Sequence, residues 1–176
     1  FFTFYPISQP ELADKIDRNE LSFCKSRIGE KPRTDEVWFI GSDIRREVLA
    51  RREDYDAFLE QVHRRIDLSK VVYIPHRKEP DDYLAEMSRR YGMEIRRLEA
   101  ILELELVNAP TLPKAFVSFT SSALDTIDIL IKPPITVFRI PPAAIRDTLR
   151  EKYNEVYDAM ARKGFDIVNL DMPATA

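Results

Sequence analysis

Short, uninterrupted apolar runs alternate along this chain with segments whose apolar residues repeat at helical spacing. Val37-Trp38-Phe39-Ile40 and Val71-Val72-Tyr73-Ile74 are continuous runs closed by Gly41-Ser42 and Pro75. A strand with no polar alternation is one buried on both faces, the habit of parallel sheets. Between them, residues 54–66 place Tyr55, Phe58, Leu59, Val62 and Ile66 on one helical face. Pro80-Asp81-Asp82 opens a second helix with Leu84, Met87 and Tyr91 in line, and Gly92 supplies its left-handed cap. The pattern continues with a short strand in 93–98, a helix over 101–107 and a strand over 115–119. A helix from Ser121, a strand over 135–138 and a long helix over 143–163 complete it. In that last helix Ile145, Leu149, Tyr153, Val156 and Met160 face inward, and Gly164 closes it. Strand–helix alternation of this kind predicts an α/β fold: a Rossmann-like parallel sheet with helices on both faces. Residues 36–176 form that domain. Residues 1–35 form an N-terminal or linking segment packed on it, with a short helix near 11–19 capped by the Ser8/Glu11 pair.

Charge narrows the function. The 176 residues carry a net charge of only -3, so bulk attraction to nucleic acid is not expected. One cysteine, Cys24, and two histidines allow neither a disulfide framework nor a Cys/His metal cluster. A reducing, cytoplasmic setting is therefore the expectation, with no metal and no cofactor. No apolar run reaches the roughly 20 residues of a membrane span, and no secretory leader opens the chain. The start at Phe1 suggests a piece of something longer. No G-x-G-x-x-G, Walker-type loop or G-x-S-x-G elbow is present, which disfavours dinucleotide oxidoreductases, P-loop NTPases and α/β-hydrolases.

In doubly wound sheets, ligands bind beyond the carboxyl ends of the strands. Four such ends hold chemistry here. Gly41 and Ser42 follow the first strand. His76 and Arg77 follow the second, pairing a titratable donor with a fixed cation that suits a departing phosphate. Glu99, Glu103 and Glu105 crowd the third. Glu103 and Glu105 cannot share a helix face, so one could accept ribose hydroxyls while the other meets solvent. Thr120, Ser121 and Ser122 follow the fourth, where free N–H groups and hydroxyls at a helix start suit an anion. A structural reading stands beside each: a serine that only caps its helix, a histidine bonded within its loop, a glutamate on a solvated face. His63, mid-helix, reads as a surface residue. Arg45, Arg46, Arg51 and Arg52 read as a solvated face, or as a peripheral contact with anionic lipid or an acidic glycan.

In the order VWFIGS, VVYIPHRKEPDDYL and LELELVNAPTLPKAFVSFTSSALDTI, the chain resembles the C-terminal domain of bacterial sialyltransferases and capsule polysialyltransferases of the two-domain GT-B type. The likeness covers roughly residues 36–140. Its histidine motif departs from the family's usual His-Pro, since Pro75 precedes His76 and Arg77 follows it. The resemblance implies one half of a glycosyltransferase, with inverting, metal-independent transfer from a CMP-sugar donor. His76 would be the catalytic group at the phosphate, and Ser121 and Ser122 would bind its oxygens. Glu105 or Glu103 would touch the nucleoside, and Gly41 and Ser42 would flank the phosphate. The general base and most of the glycan acceptor site would lie in an N-terminal domain that this chain lacks, so the isolated chain would bind nucleotide weakly and transfer inefficiently. Two other readings remain at this stage. A UDP- or GDP-sugar enzyme of the same architecture would recruit Arg77, Lys78 and Arg139 for its diphosphate. A non-catalytic Rossmann-like binding domain would leave every motif as a cap or a solvated charge.

Overall fold

The apolar runs do become neighbouring strands. The computed structural model describes Phe2–Thr3, Asp17–Arg18 and residues 21–173. Six parallel strands form one sheet: β3 (Val37–Ile40), β4 (Val71–Ile74), β5 (Glu94–Ile95), β6 (Ala115–Ser118), β7 (Ile135–Arg139) and β8 (Asp166–Asn169). Their spatial order is β5-β4-β3-β6-β7-β8. The chain steps outward from β3 to β5, returns to pair β6 with β3, then steps the other way to β8. This is the 3-2-1-4-5-6 order of doubly wound dinucleotide folds, and its reversal lies between β3 and β6. Two further short strands, β1 (Phe2–Thr3) and β2 (Asp17–Arg18), pair in parallel with each other. The helix expected near 11–19 therefore does not extend through Asp17–Arg18. The rest of it, with its Ser8/Glu11 cap, lies outside the described residues.

Right-handed crossovers send the helices of the two halves to opposite faces. α2 (Ile44–Glu47) and α3 (Asp54–His63) connect β3 to β4, and α4 (Asp81–Tyr91) connects β4 to β5. α3 and α4 are joined by Arg90 Nη2 on Glu60 Oε1 at 2.7 Å. On the other face α1 (Ser22–Ile28), α5 (Leu102–Asn108) and α6 (Ala123–Ile131) pack on one another. α7 (Asp147–Arg162) leads to β8. The expected apolar faces are the buried ones: Tyr55, Phe58, Leu59 and Val62 on α3, and Leu84, Met87 and Tyr91 on α4. Each such side chain, fully buried, contributes about 1.5–3 kcal/mol. Gly92 closes α4 at φ 70°. Beneath the future site, Phe39 stacks near Tyr73 and Phe119 (5.3 and 5.5 Å between ring centres), and Tyr55 meets Phe119 at 5.4 Å.

Several boundaries differ from the sequence expectation. α6 begins at Ala123, with Ser122 at its N-cap rather than Ser121 inside it. The last helix begins at Asp147, because Pro141 and Pro142 instead form a 3-10 turn over Pro142–Ala144. Ile145 is buried but precedes that helix. Tyr157 and Met160 form its buried contact, with Leu149, Tyr153 and Val156 half-buried. α1, α2 and β8 had no counterpart in the sequence reading.

Residues 21–35 pack on the helices of the second face. Lys31 Nζ donates to the carbonyls of Leu106, Val107 and Ala109 at 3.2, 2.5 and 2.8 Å, at the end of α5. Arg33 Nη2 donates to the Ile131 carbonyl, at the end of α6, at 2.8 Å. Helix C-termini present unsatisfied carbonyls and a negative dipole end, so a cation there is stabilising. Burial, and then the nearby Arg27 charge, push the Lys31 ammonium below its ordinary pKa. Lys31→Met is expected to cost about 1–2 kcal/mol in urea unfolding. Lys152→Met, at an exposed α7 position with no ion pair among the described residues, should stay within about 0.5 kcal/mol. Equal costs for the two would show that Lys31 holds nothing. Among the described residues, no helix is long and apolar enough to cross a membrane.

Candidate functional site

Parallel strands deliver their following residues to one edge, so Gly41 after β3, His76 after β4 and Ser121 after β6 converge there. They border two adjoining depressions, and all three residues line both. The first, about 330 Å³, has apolar walls from Ile40, Ile74, Pro75, Leu98 and Leu102, with Arg77 and Arg97 beside them. The second, about 230 Å³, is lined by Ser42, Asp43, Glu47, Thr120, Ser122 and Tyr153. The pair straddles the reversal between β3 and β6, where doubly wound sheets bind ligands. A larger hollow of about 590 Å³ lies at the opposite edge, between the ends of α1 and α6. Its Lys31 and Arg33 are already bonded to helix carbonyls, so it does not compete as a site.

The turn carrying His76 is closed on itself. Glu79 N donates to the His76 carbonyl at 2.9 Å, and His76 N donates back to Glu79 Oε2 at 2.6 Å. Lys78 N donates to His76 Nδ1 at 3.4 Å. That acceptor role places the proton of the neutral ring on Nε2, which has no hydrogen bond among the described residues and can donate to a ligand. Glu79 is 7% exposed and its Oε1 accepts the Tyr73 hydroxyl at 2.7 Å; the Tyr73 and Tyr55 hydroxyls lie 3.4 Å apart. Burial pushes the Glu79 carboxyl above its ordinary range, against the hydrogen bonds from Tyr73 and His76. Burial likewise holds the Tyr73 phenol well above its ordinary value. Arg97 fastens the turn from outside, with Nη2 on the Glu79 carbonyl at 2.8 Å and on Asp81 Oδ1 at 2.6 Å. Gly41 lies directly over this network. A Cβ there would stand 2.7 Å from Glu79 Oε2, 2.8 Å from the Tyr73 hydroxyl and 3.0 Å from His76 N.

Across the cleft, Ser118 Oγ donates to the Ile40 carbonyl at 2.8 Å and ties β6 to β3 where the topology reverses. Ser121 Oγ accepts Ala123 N at 3.3 Å and so acts as a local cap. Ser122 is exposed at the N-cap and makes no side-chain capping bond. Ser42 Oγ is sealed from solvent without a hydrogen-bond partner. Thr120 is 8% exposed, and its hydroxyl likewise has none among the described residues.

The structure thus brings together Gly41, Ser42, His76, Arg77, Thr120, Ser121 and Ser122. It does not bring Glu103 or Glu105 to either depression. Glu105 Oε1 instead accepts Glu99 N and Ala100 N at 3.0 and 2.8 Å, folding the loop that precedes α5. That loop, through Leu98 and Ala100, walls the first depression together with Leu102 at the start of α5. His63 sits at the end of α3, where its Nδ1 accepts Leu68 N at 3.3 Å and its ring meets Tyr91, a structural role. Arg45 lies over the Tyr83 ring at 4.2 Å, and Arg51 pairs with Glu53. Polar residues of the site that escaped the sequence reading include Asp43, Glu47, Tyr73, Glu79, Arg97 and Tyr153. Only Glu79 left a trace there, as an acid three residues after His76, the spacing of a reciprocal cap. Among the described residues, no group of His, Cys, Asp and Glu side chains could hold a metal ion. Compared with known proteins, the sequence matches no family model, and no characterised protein matches it either.

Proposed function

We propose that this domain holds the nucleotide of a nucleotide-activated sugar and is the donor-binding half of a glycosyltransferase. The observation that carries the proposal is the sharing of Gly41, His76 and Ser121 by two depressions at the reversal between β3 and β6. The apolar walls of the first depression suit a nucleoside, and Arg77 and Arg97 favour the charge of its phosphate. The phosphate sits at the border, between His76 Nε2–H and the Ser121-Ser122 start of α6. In transfer, the bond from the anomeric carbon to the phosphate oxygen breaks and its electron pair stays on that oxygen. His76 donates to the developing charge, which stabilises the transition state more than the ground state. The acceptor hydroxyl forms the new bond and gives its proton to a base on a partner domain.

Thermal unfolding with CMP, UMP and UDP tests the reading, using the wild type, His76→Ala and Ser122→Ala. A ligand at about 100 times its Kd adds roughly 2.7 kcal/mol, which raises Tm by about 5–10 °C for a domain of this size. Ser122→Ala removes no hydrogen bond within the protein, so a ligand shift lost in that variant reports a ligand contact. Millimolar nucleotide that leaves Tm unchanged in the wild type would sink the proposal and favour a non-catalytic binding domain.

A further inference from the structure

The two depressions divide their charge. Two arginines line the first, Arg77 and the Asp81-paired Arg97. The second has no lysine or arginine in its lining and two carboxylates, Asp43 and Glu47. Glu47 accepts Lys78 Nζ at 2.7 Å. The Asp43 carboxylate has no hydrogen bond or ion pair among the described residues. Around these acids stand hydroxyls: Thr120, more than nine-tenths buried and unpartnered, then Ser121, Ser122 and the Tyr153 phenol. Ser42 Oγ, in the same wall, is sealed and also unpartnered. A hydroxyl such as that of Thr120, unpartnered within the protein, can be satisfied by a ligand seated in the depression, whereas the sealed Ser42 oxygen is out of a ligand's reach.

An occupant of this depression must donate hydrogen bonds to carboxylates and exchange them with hydroxyls. A phosphate cannot donate to Asp43, and it gains more on the cationic side of the border. A ring of sugar hydroxyls does both. A sugar bearing its own carboxylate would instead meet the unpaired Asp43 carboxylate with no lysine or arginine in the lining, and like charges held in one small depression repel. We infer that the second depression seats a neutral, hydroxyl-rich donor sugar and discriminates against an acidic one. This rests on the nucleotide reading above, and it departs from the acidic sugar that the sequence resemblance implies.

Calorimetric titration of matched pairs tests the inference: UDP against UDP-glucose, GDP against GDP-mannose, and CMP against CMP-sialic acid. Each ratio isolates the sugar. At least one neutral-sugar donor should bind about tenfold or more tighter than its own nucleotide, a difference of about 1.4 kcal/mol. That gain, read as the ratio of donor to bare-nucleotide affinity within each variant, should vanish in Thr120→Val and shrink in Asp43→Asn. CMP-sialic acid should bind no tighter than CMP to the wild type, and several-fold tighter to Asp43→Asn than to the wild type. Tenfold preference of the wild type for CMP-sialic acid over CMP overturns the inference. So does nucleotide binding with no gain from any neutral sugar, which leaves the nucleotide reading standing. Failure of every nucleotide and donor to bind removes both.

Discussion

Replacing Glu79 with alanine is expected to lower the unfolding free energy by about 2–4 kcal/mol and to abolish nucleotide binding. The carboxylate satisfies two donors, the His76 amide and the fully buried Tyr73 hydroxyl, whose other neighbour is the Tyr55 hydroxyl at 3.4 Å. Each donor left unpaired costs about 1–3 kcal/mol. Relief of a buried carboxylate offsets part of that cost, so the sum falls short of two full penalties. Glu79→Gln separates the two terms. Its Oε1 can accept His76 N while its Nε2 donates to the Tyr73 oxygen, so the turn keeps its shape without the charge, and stability should change by no more than about 1 kcal/mol. The pH dependence has a definite sign. The Glu79 carboxyl is raised in the folded protein above an ordinary 4.5, so the folded state binds the proton more tightly than the unfolded chain. Its contribution to stability is complete below that ordinary value and is lost as pH rises through the raised one. Urea unfolding at several pH values should therefore show Glu79→Gln gaining on the wild type from about pH 4.5 upward. A difference that stays flat with pH would mean that the burial of Glu79 leaves its titration unperturbed.

Most of the sheet was legible because its strands are apolar on both faces, and a run such as Val71-Val72-Tyr73-Ile74 has few other homes. β8 was not, because Asp166-Ile167-Val168-Asn169 is an edge strand with two exposed polar ends. α1 was missed because it is short and Ile28 is its one buried residue. The order of the strands is a tertiary property that no local pattern carries, yet it decides which strand ends share a cleft. Hence Gly41, His76 and Ser121 could be nominated from the sequence as residues of one sheet edge, while the pair of strands that flank the reversal could not. Glu103 and Glu105 show the converse, since proximity to a strand end does not settle which way a loop turns its carboxylates. Glu79 was hidden for a different reason. A glutamate between Lys78 and Pro80 reads as loop charge, and only the return of the turn onto Gly41 buries it. Tyr73 was absorbed into an apolar strand, although it is the hydrogen bond from its hydroxyl to Glu79 that makes that burial tolerable.

Gly41→Ala is the sharper probe of the same network, because it adds one methyl group and removes nothing. Gly41 closes β3 where the Glu79 carboxylate approaches the backbone, and a Cβ would lie 2.7 Å from Oε2 and 3.0 Å from the His76 amide nitrogen. Carbon at those separations is inside van der Waals contact, so something must move. A free glutamate end would swing aside at little cost. This one is held by Tyr73 and His76 at 2.7 and 2.6 Å, and the third neighbour is main chain. Overpacking of a held site costs about 1–3 kcal/mol, and displacement of a buried hydrogen bond adds about 1 kcal/mol more. The expected loss is therefore about 2–4 kcal/mol in urea unfolding, with CMP or UDP binding weakened by at least tenfold as the His76 turn shifts. The double variant Gly41→Ala/Glu79→Ala distinguishes steric pressure from a general intolerance of side chains at this position. With the carboxylate gone, the closest of the three contacts is lifted and the Tyr73 hydroxyl and His76 amide lose the partner that holds them, so the two costs should fall short of additive by about 1 kcal/mol or more. Strict additivity would place the strain elsewhere and detach Gly41 from the geometry of His76.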